Sequence, residues 1–399
     1  MGFTVGLVPC EGWDPVGRAL VGGLTEEQAR ERDRAGQQYA VGVVDPESGN
    51  VVVLLECAGH FRRRSWFDLQ GRRTRVRVEP VLDGRLFHQS TEEWEYAPEH
   101  AEFDREAPHA KVEHTPDGSR DRTSEPRGAS GSRTRRQEKA PLDELFSPVP
   151  DFADWKARTG LDLTFVAHPA PAPLGDARPP WRPPAPLRPR VGELFEPGAR
   201  FTTRGGGEHT IESHDAGVLR LPSGRLIAAD PGARPGDRKP FELALPPGDY
   251  PVRALLAVRE DAPNWKPVAA LQLVVADVPA TSWEMALAEG DGSVLLLGEN
   301  QFYGAGVDSG QLCFVDASAA KALGEAVDER YDRDEDLDPD AAEHRTEWLT
   351  DPETGGGMVV LTSPHGDGAF PTWIGRAADG SVACLVLDTL FLPERTRGE

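Results

Sequence analysis

Apolar runs and one stretch of period-two alternation mark strands in the first hundred positions, and the breaks between them carry turn chemistry. From Arg73 to Val78, Arg73, Arg75 and Arg77 fall on one face and Thr74, Val76 and Val78 on the other, the signature of a half-buried strand. Tyr39 to Val44 and Asn50 to Glu56 flank Asp45-Pro46-Glu47-Ser48-Gly49, which predicts a hairpin with a turn longer than two residues. Thr25 followed by Glu26, Glu27 and Gln28 has the form of a capping box and predicts a short polar helix to about Ala35. Residues 1–98 are therefore expected to form a β-rich domain with one helix.

The pattern then fails. Residues 99–140 carry Ser, Arg, Glu, Gly, His and Pro with no apolar periodicity, and are expected to be a disordered linker. Residues 141–167 predict a short helical segment: Leu142, Leu145 and Phe146 precede Pro148, and Phe152, Trp155 and Leu161 follow around a helix opened by Asp151. Residues 168–190 contain 9 prolines in 23 positions and are expected to act as an extended, semi-rigid spacer.

From Val191 to the end the strand signals return. Pro222-Ser223-Gly224 and Pro246-Pro247-Gly248-Asp249 each separate two apolar runs and predict hairpins, Val218–Leu221 with Arg225–Ala229 and Phe241–Leu245 with Tyr250–Val258. Further runs begin at Val268, Trp283, Val294, Leu312, Met358 and Val382, with connections mostly too short for parallel crossovers, so the sheet is expected to be mainly antiparallel. One helix is expected after Asp316, as its N-cap, through Ala320, Leu323 and Val327. The fold class that follows is mainly β (α+β): two β-rich domains of largely antiparallel sheet with few short helices, 1–98 and 191–399, joined by a disordered and Pro-rich linker.

Several phrases of the second region form an ordered series: PSGRLIAADP (Pro222 to Pro231), PF…LPPGDYPV (Pro240 to Val252), VAALQLVV…WEMAL, FYGAGVDSGQLCFVDASA (Phe302 to Ala319) and HGDGAFPTWIGRAADGSVACLVLD (His365 to Asp388). By these, roughly Val191 to Leu392 resembles the bacterial family catalogued as domain of unknown function 4241 (DUF4241); the first 140 residues carry no such resemblance. The family has no established activity, so the resemblance implies a domain boundary and a set of positions to inspect. Where an aromatic hydroxyl is expected after Gly-Asp-Gly, this chain has Phe370.

Charge sharpens the picture. Against 44 Lys and Arg stand 66 Asp and Glu, a formal charge of −22, which argues against general affinity for nucleic acid or anionic membranes. Residues 325–347 carry eleven carboxylates against three arginines, a local net of −8, and read as an acidic insertion. The four cysteines form no C-x-x-C pair, the N-terminus has no signal-peptide pattern, and no run reaches the roughly 18 apolar residues of a membrane span. A cytoplasmic protein without membrane association is expected.

Candidate chemistry lies mostly among the carboxylates. Asp308, His365 and Asp367, set beside glycines that allow close approach, are the catalytic candidates. Asp230, Asp308, Asp316 and Trp373 are the ligand-binding candidates. Reading 332–343 as a calcium loop places Asp332, Asp334, Asp336, Asp338, Asp340 and Glu343 at ligand positions, but Leu337 stands where Gly must turn and Pro339 follows, so the loop fails as a motif and these are weak metal candidates. His209 and His214 beside Glu208 and Glu212 do not follow the H-E-x-x-H order and read as loop residues. Arg62, Arg63, Arg64, Arg72, Arg73, Arg75 and Arg77, interleaved with Phe61, Trp66 and Phe67, form a basic and aromatic surface of the kind that binds single strands; a strand's solvent face, or a contact with the acidic insertion, accounts for them as well. No G-x-S-x-G, P-loop or dinucleotide fingerprint occurs. The expected function is an interaction protein that binds a protein partner as a regulator or immunity-type inhibitor, with no cofactor. The alternative is a metal-assisted hydrolase or lyase using a divalent cation at Asp308, Asp367 and His365. Oligomeric state does not follow from the sequence.

Overall fold

The structure is a computed structural model of the full chain, and it describes residues 4–392 apart from 176, 197, 203–206, 334 and 336. Strand accounts for 43% of the chain and helix for 12%, which makes the architecture mainly β. The chain divides into two compact units, Met1–Ala185 with Leu295–Gly298, and Pro186–Val294 with Glu299–Glu399.

The N-terminal unit contains β1 (Thr4–Asp14), β2 (Ala19–Gly23), α1 (Glu26–Arg34), β3 (Tyr39–Val44), β4 (Val51–Ala58), β5 (Phe61–Phe67), β6 (Arg73–Leu82), β7 (Arg85–Phe87), β8 (Ser90–Trp94), β9 (His109–His114), β10 (Ser119–Glu125), β11 (Thr134–Lys139), α2 (Leu142–Leu145), β12 (Phe146–Pro148), α3 (Trp155–Thr159) and β13 (Thr164–Ala167). Its main sheet runs β11-β10-β9-β8-β6-β5-β4-β3-β1-β13. Every pairing on that path is antiparallel except β1 with β13, whose register Thr4↔Thr164 to Leu7↔Ala167 is parallel. The capping box of α1 forms as expected, with Gln28 N donating to Thr25 Oγ1 and Thr25 N to Gln28 Oε1. The helix covers one face of the sheet, where Ala29 packs with Tyr39, Val41, Val53 and Leu55; Cys10, Trp13, Ala40 and Leu54 fill the opposite face. Burial on both faces explains why β3 and β4 read as unbroken apolar runs.

Two expectations for the linker are corrected. Residues 99–140 are not a disordered linker: β9, β10 and β11 extend the main sheet past β8. No apolar period announced them because no strand of this arm buries a hydrophobic face, and β11 is exposed along its whole length. Cross-strand charge pairs take the place of a core, among them Arg135 with Asp121 and Lys111 with Glu92. The first part of the Pro-rich stretch is likewise no free spacer. Gly23 N donates to Ala172 O, Gln38 Nε2 donates to Trp181 O at 2.7 Å, and Trp181 is buried against Phe61. Glycine permits the approach: a Cβ on Gly23 would stand 1.9 Å from Pro171 O. The helix expected to open at Asp151 instead has Asp154 at its N-cap, accepting from Ala157 N.

The C-terminal unit contains β14 (Arg200–Thr202), β15 (Glu208–Leu221), β16 (Leu226–Ala229), β17 (Gly248–Val258), β18 (Val268–Val274), β19 (Ser282–Met285), β20 (Ala305–Val307), β21 (Gln311–Asp316), α4 (Ala320–Tyr331), β22 (Glu347–Thr350), β23 (Gly357–Thr362), β24 (Gly368–Phe370), β25 (Thr372–Arg376) and β26 (Val382–Asp388). A seven-stranded sheet β14-β15-β17-β18-β26-β25-β19 packs on a four-stranded sheet β16-β21-β23-β22 through Leu219, Val252, Leu273 and Leu387 on one side and Leu226, Phe314, Val359 and Leu361 on the other. Val191, Leu194 and Phe201 cover the outer face of the larger sheet at Trp373 and Val386, and α4 covers the outer face of the smaller one at Val315 and Val360. Every pairing is antiparallel.

Neither predicted hairpin forms here. The turn at Pro222-Ser223-Gly224 carries the chain from one sheet of the sandwich to the other, because β15 pairs with β17 and β16 with β21. Phe241–Leu245 is not a strand and contributes only bridges, Arg225↔Ala244 and Phe241↔Ala288. Turn chemistry marks where the chain bends, not which strand it rejoins. The acidic stretch is folded where described: α4 supplies its first residues, and Leu337 is buried in the core beneath that helix.

Candidate functional site

The carboxylates singled out in the sequence lie at strand ends of the C-terminal unit, and the buried ones are bound by their own turns. Asp230 follows β16 and is 1% exposed. Its Oδ2 accepts from Asp308 N and Ser309 N, both at 2.8 Å, and its Oδ1 from Ser309 Oγ at 2.7 Å and Gly232 N at 2.8 Å. Four donors around one carboxylate staple the 230–232 turn to the 308–310 turn. Asp316, fully buried at the end of β21, accepts from Ser223 N at 3.1 Å and Ser223 Oγ at 2.6 Å on one oxygen and from Ser318 N and Ser318 Oγ on the other. It is not the N-cap of α4, a position held by Ala319 without a side-chain bond. Its place is the sheet-crossing turn, where Ser223 needs an acceptor.

Asp308 and Asp367 flank the same end of the β20–β24 ladder, whose last pair is Val307 with Gly368. The neighbouring turns stay close, with Ser363 N donating to Gly310 O and a Cβ on Gly310 falling 3.8 Å from Gly366 Cα. Both aspartates are exposed. His365, also exposed, has its Nε2 3.2 Å from Leu390 O. Trp373 is a core residue, 1% exposed, and its indole N–H donates to Asp388 Oδ2 at 3.0 Å. Asp388, which sequence reasoning passed over at the end of an apolar strand, also accepts from Leu390 N, and burial pushes its carboxyl up to about 6.

Of the weak metal candidates, Asp332 is exposed beyond the end of α4, Asp334 and Asp336 lie outside the described residues, and the side chain of Glu343 is not described. Among the described residues no group of three His, Cys, Asp or Glu is placed to hold a metal ion. His209 is buried against Phe391 and Trp265 on β15, not in a loop. A cavity of about 390 Å³ opens near β14, lined by Arg190, Glu193, Arg200 and Phe201, and none of the candidates above borders it.

The arginine cluster of the N-terminal unit is met by carboxylates of the same unit: Arg62 by Asp33, Arg63 by Glu56, Arg64 and Arg77 by Glu79, Arg72 by Asp68, Arg73 by Glu102 and Arg75 by Glu93. Glu56 and Glu79 are 3% exposed, so these arginines compensate buried charge. All four cysteines are buried and free, and burial raises Cys10 to about 12, which removes thiolate chemistry there. Among the described residues no helix is long and apolar enough to cross a membrane.

The C-terminal unit is thus a two-sheet sandwich whose conspicuous carboxylates hold its turns. Residues 219–387 match the model of a family described as protein of unknown function (DUF4241), and the N-terminal region matches no family model. No curated protein and no solved structure matches the chain.

Proposed function

We propose that the protein is a cytoplasmic binding protein that acts by holding a protein partner, as a regulator or an immunity-type inhibitor. The observation that carries this reading is the saturation of Asp230 and Asp316. A carboxylate that already accepts four hydrogen bonds from its own turns has little capacity left for a metal or a substrate proton. Accessible charge lies elsewhere: Glu325, Glu329, Asp332 and Asp340 are exposed around α4, on a segment anchored by Leu337. A surface of this sign suits a basic partner and gives salt-dependent association. The full chain used as bait at low salt should retain a partner that about 0.5 M salt releases, and the triple variant Glu325→Gln, Glu329→Gln, Asp332→Asn should lose it. Retention that ignores both salt and the variant would overturn the reading.

A second reading keeps one specific support: Asp308 and Asp367 are both exposed and flank the same end of the β20–β24 ladder. A metal-assisted hydrolase or lyase would draw on that pair with His365 and a divalent cation. Metal analysis of the purified chain decides it: stoichiometric metal that disappears in both Asp308→Asn and Asp367→Asn would favour this reading over binding, and metal-free protein would remove it.

A further inference from the structure

The first part of the Pro-rich stretch lies along the N-terminal sheet in the manner of a bound peptide. Residues 169–181 contain five prolines and form neither helix nor strand where described. Proline removes donors and keeps such a segment extended. Beneath it the sheet is pared to backbone: a Cβ on Gly6 would stand 2.6 Å from His168 Cβ, and one on Gly12 2.7 Å from Trp181 Cδ1. With Gly23 against Pro171, these positions of β1 and β2 leave a track on which another stretch of chain can lie in close contact. Two carbonyls are held from the sheet side, Ala172 O by Gly23 N at 3.1 Å and Trp181 O by Gln38 Nε2 at 2.7 Å. The track ends in a socket, where Trp181 clusters with Ala58, Phe61 and Val78 and the Arg63 guanidinium lies 5.9 Å from its ring centroid.

A backbone donor for one carbonyl, a side-chain amide for a second and an aromatic socket are the parts from which a site for extended, proline-rich peptides is made. The hold on the chain's own segment is local. Among the described residues of 169–181 only Trp181 is buried; Pro171 and Leu174 are half-buried and the others are exposed. The Trp181 indole N–H is buried without an acceptor, so the socket is filled but its occupant is not satisfied. A segment held by one buried side chain and two hydrogen bonds to the rest of the unit can open while the sheet beneath stays folded. Opening exposes the track, the two donors and the socket together.

We propose that the glycine track of β1 and β2 and the socket at Phe61 form a recognition groove for a proline-rich, Trp-bearing segment of a partner protein, and that residues 169–181 occupy it as a competing ligand in cis. The chemistry of the partner segment is that of the occupant now in place: extended, poor in donors and anchored by one indole. The groove shares no residue with the acidic surface around α4, so neither reading above bears on it. The test is a labelled synthetic peptide of residues 169–183, titrated into the full chain and followed by fluorescence anisotropy. A tethered segment competes at an effective concentration in the millimolar range, so wild type should bind the peptide weakly. Trp181→Ala, which empties the socket, should bind it on the order of tenfold or more tightly. The peptide carrying Trp181→Ala should bind neither chain. In wild type, hydrogen exchange at Gly23 N–H, whose acceptor lies on the segment, should run well ahead of that at Val41 in the sheet interior, a readout that needs no variant. Equal or absent binding to wild type and Trp181→Ala, equal binding of the Trp-free peptide, or Gly23 exchanging no faster than Val41 would each overturn the proposal. So would a wild-type dimer that Trp181→Ala dissolves, which would give the groove to the segment of a second copy.

Discussion

The two units solve the same problem, keeping charge inside a β structure, in different ways. In the N-terminal unit buried carboxylates meet guanidinium groups across neighbouring strands, as Glu56 meets Arg63 and Glu79 meets Arg64. In the C-terminal unit buried carboxylates meet backbone N–H groups and hydroxyls of turns, as at Asp230, Asp316 and Asp351. The first arrangement ties strands into a sheet whose outer strands have no hydrophobic face. The second fixes loops between strands that hydrophobic packing already holds. A charge lost from the first leaves another charge stranded, whereas a charge lost from the second leaves only neutral donors without an acceptor.

The contrast can be broken first at Glu79. Replacing it with Ala leaves Arg64 and Arg77 facing each other without their shared counter-ion and should cost about 4 kcal/mol in urea unfolding. Asp230→Ala removes an acceptor shared by four donors and should cost about 3 kcal/mol, with Asp230→Asn recovering part of that loss. A loss at Asp230 exceeding that at Glu79 would reverse the ranking.

Acid sharpens the comparison further. The Asp388 carboxyl is raised from 3.8 to about 6, so the native state binds the extra proton between those values and this group's contribution to stability falls as pH rises from 4 to 6. The difference between wild type and Asp388→Asn should change across that window by up to about 3 kcal/mol. His88 acts with the opposite sign. Its folded value lies near 3 against 6.5, so its contribution is complete above pH 6.5 and is lost as pH falls toward 3. Wild type should therefore lose more stability than His88→Gln on going from pH 7 to pH 4, as followed by thermal unfolding. The smallest effect belongs to Arg135→Ala: its pair with Asp121 is solvated, and the unfolding midpoint should not move measurably.

How much of this could be read from residues alone follows the same division. Strands buried on one or both faces, such as Tyr39–Val44 and Val382–Asp388, announce themselves by apolar runs or alternation, and the Thr25 box fixed a helix start. The arm β9–β11 was illegible because TRRQEK and SRDRTSE earn their places by charges on a neighbouring strand, and no local period records a neighbour. Asp308 and Asp367 could be singled out by their glycines, and the β20–β24 ladder whose end they share appeared only with the register. Asp316 drew attention as a helix cap, while its actual partner, Ser223, lies 93 positions earlier.

The pairing of β1 with β13 sets an order of events. Residues 4–7 take up their parallel partner only at residues 164–167, so this stretch of β1's edge stays open until most of the N-terminal unit has been made, although β2 covers residues 10–14 of it early. During synthesis at roughly 5–20 residues per second, that edge is exposed for about ten to thirty seconds. Antiparallel pairing with β3 covers the other side of β1 early, and the charged arm folds on local contacts, so closing this edge is the long-range step of the unit and the one expected to limit its folding rate.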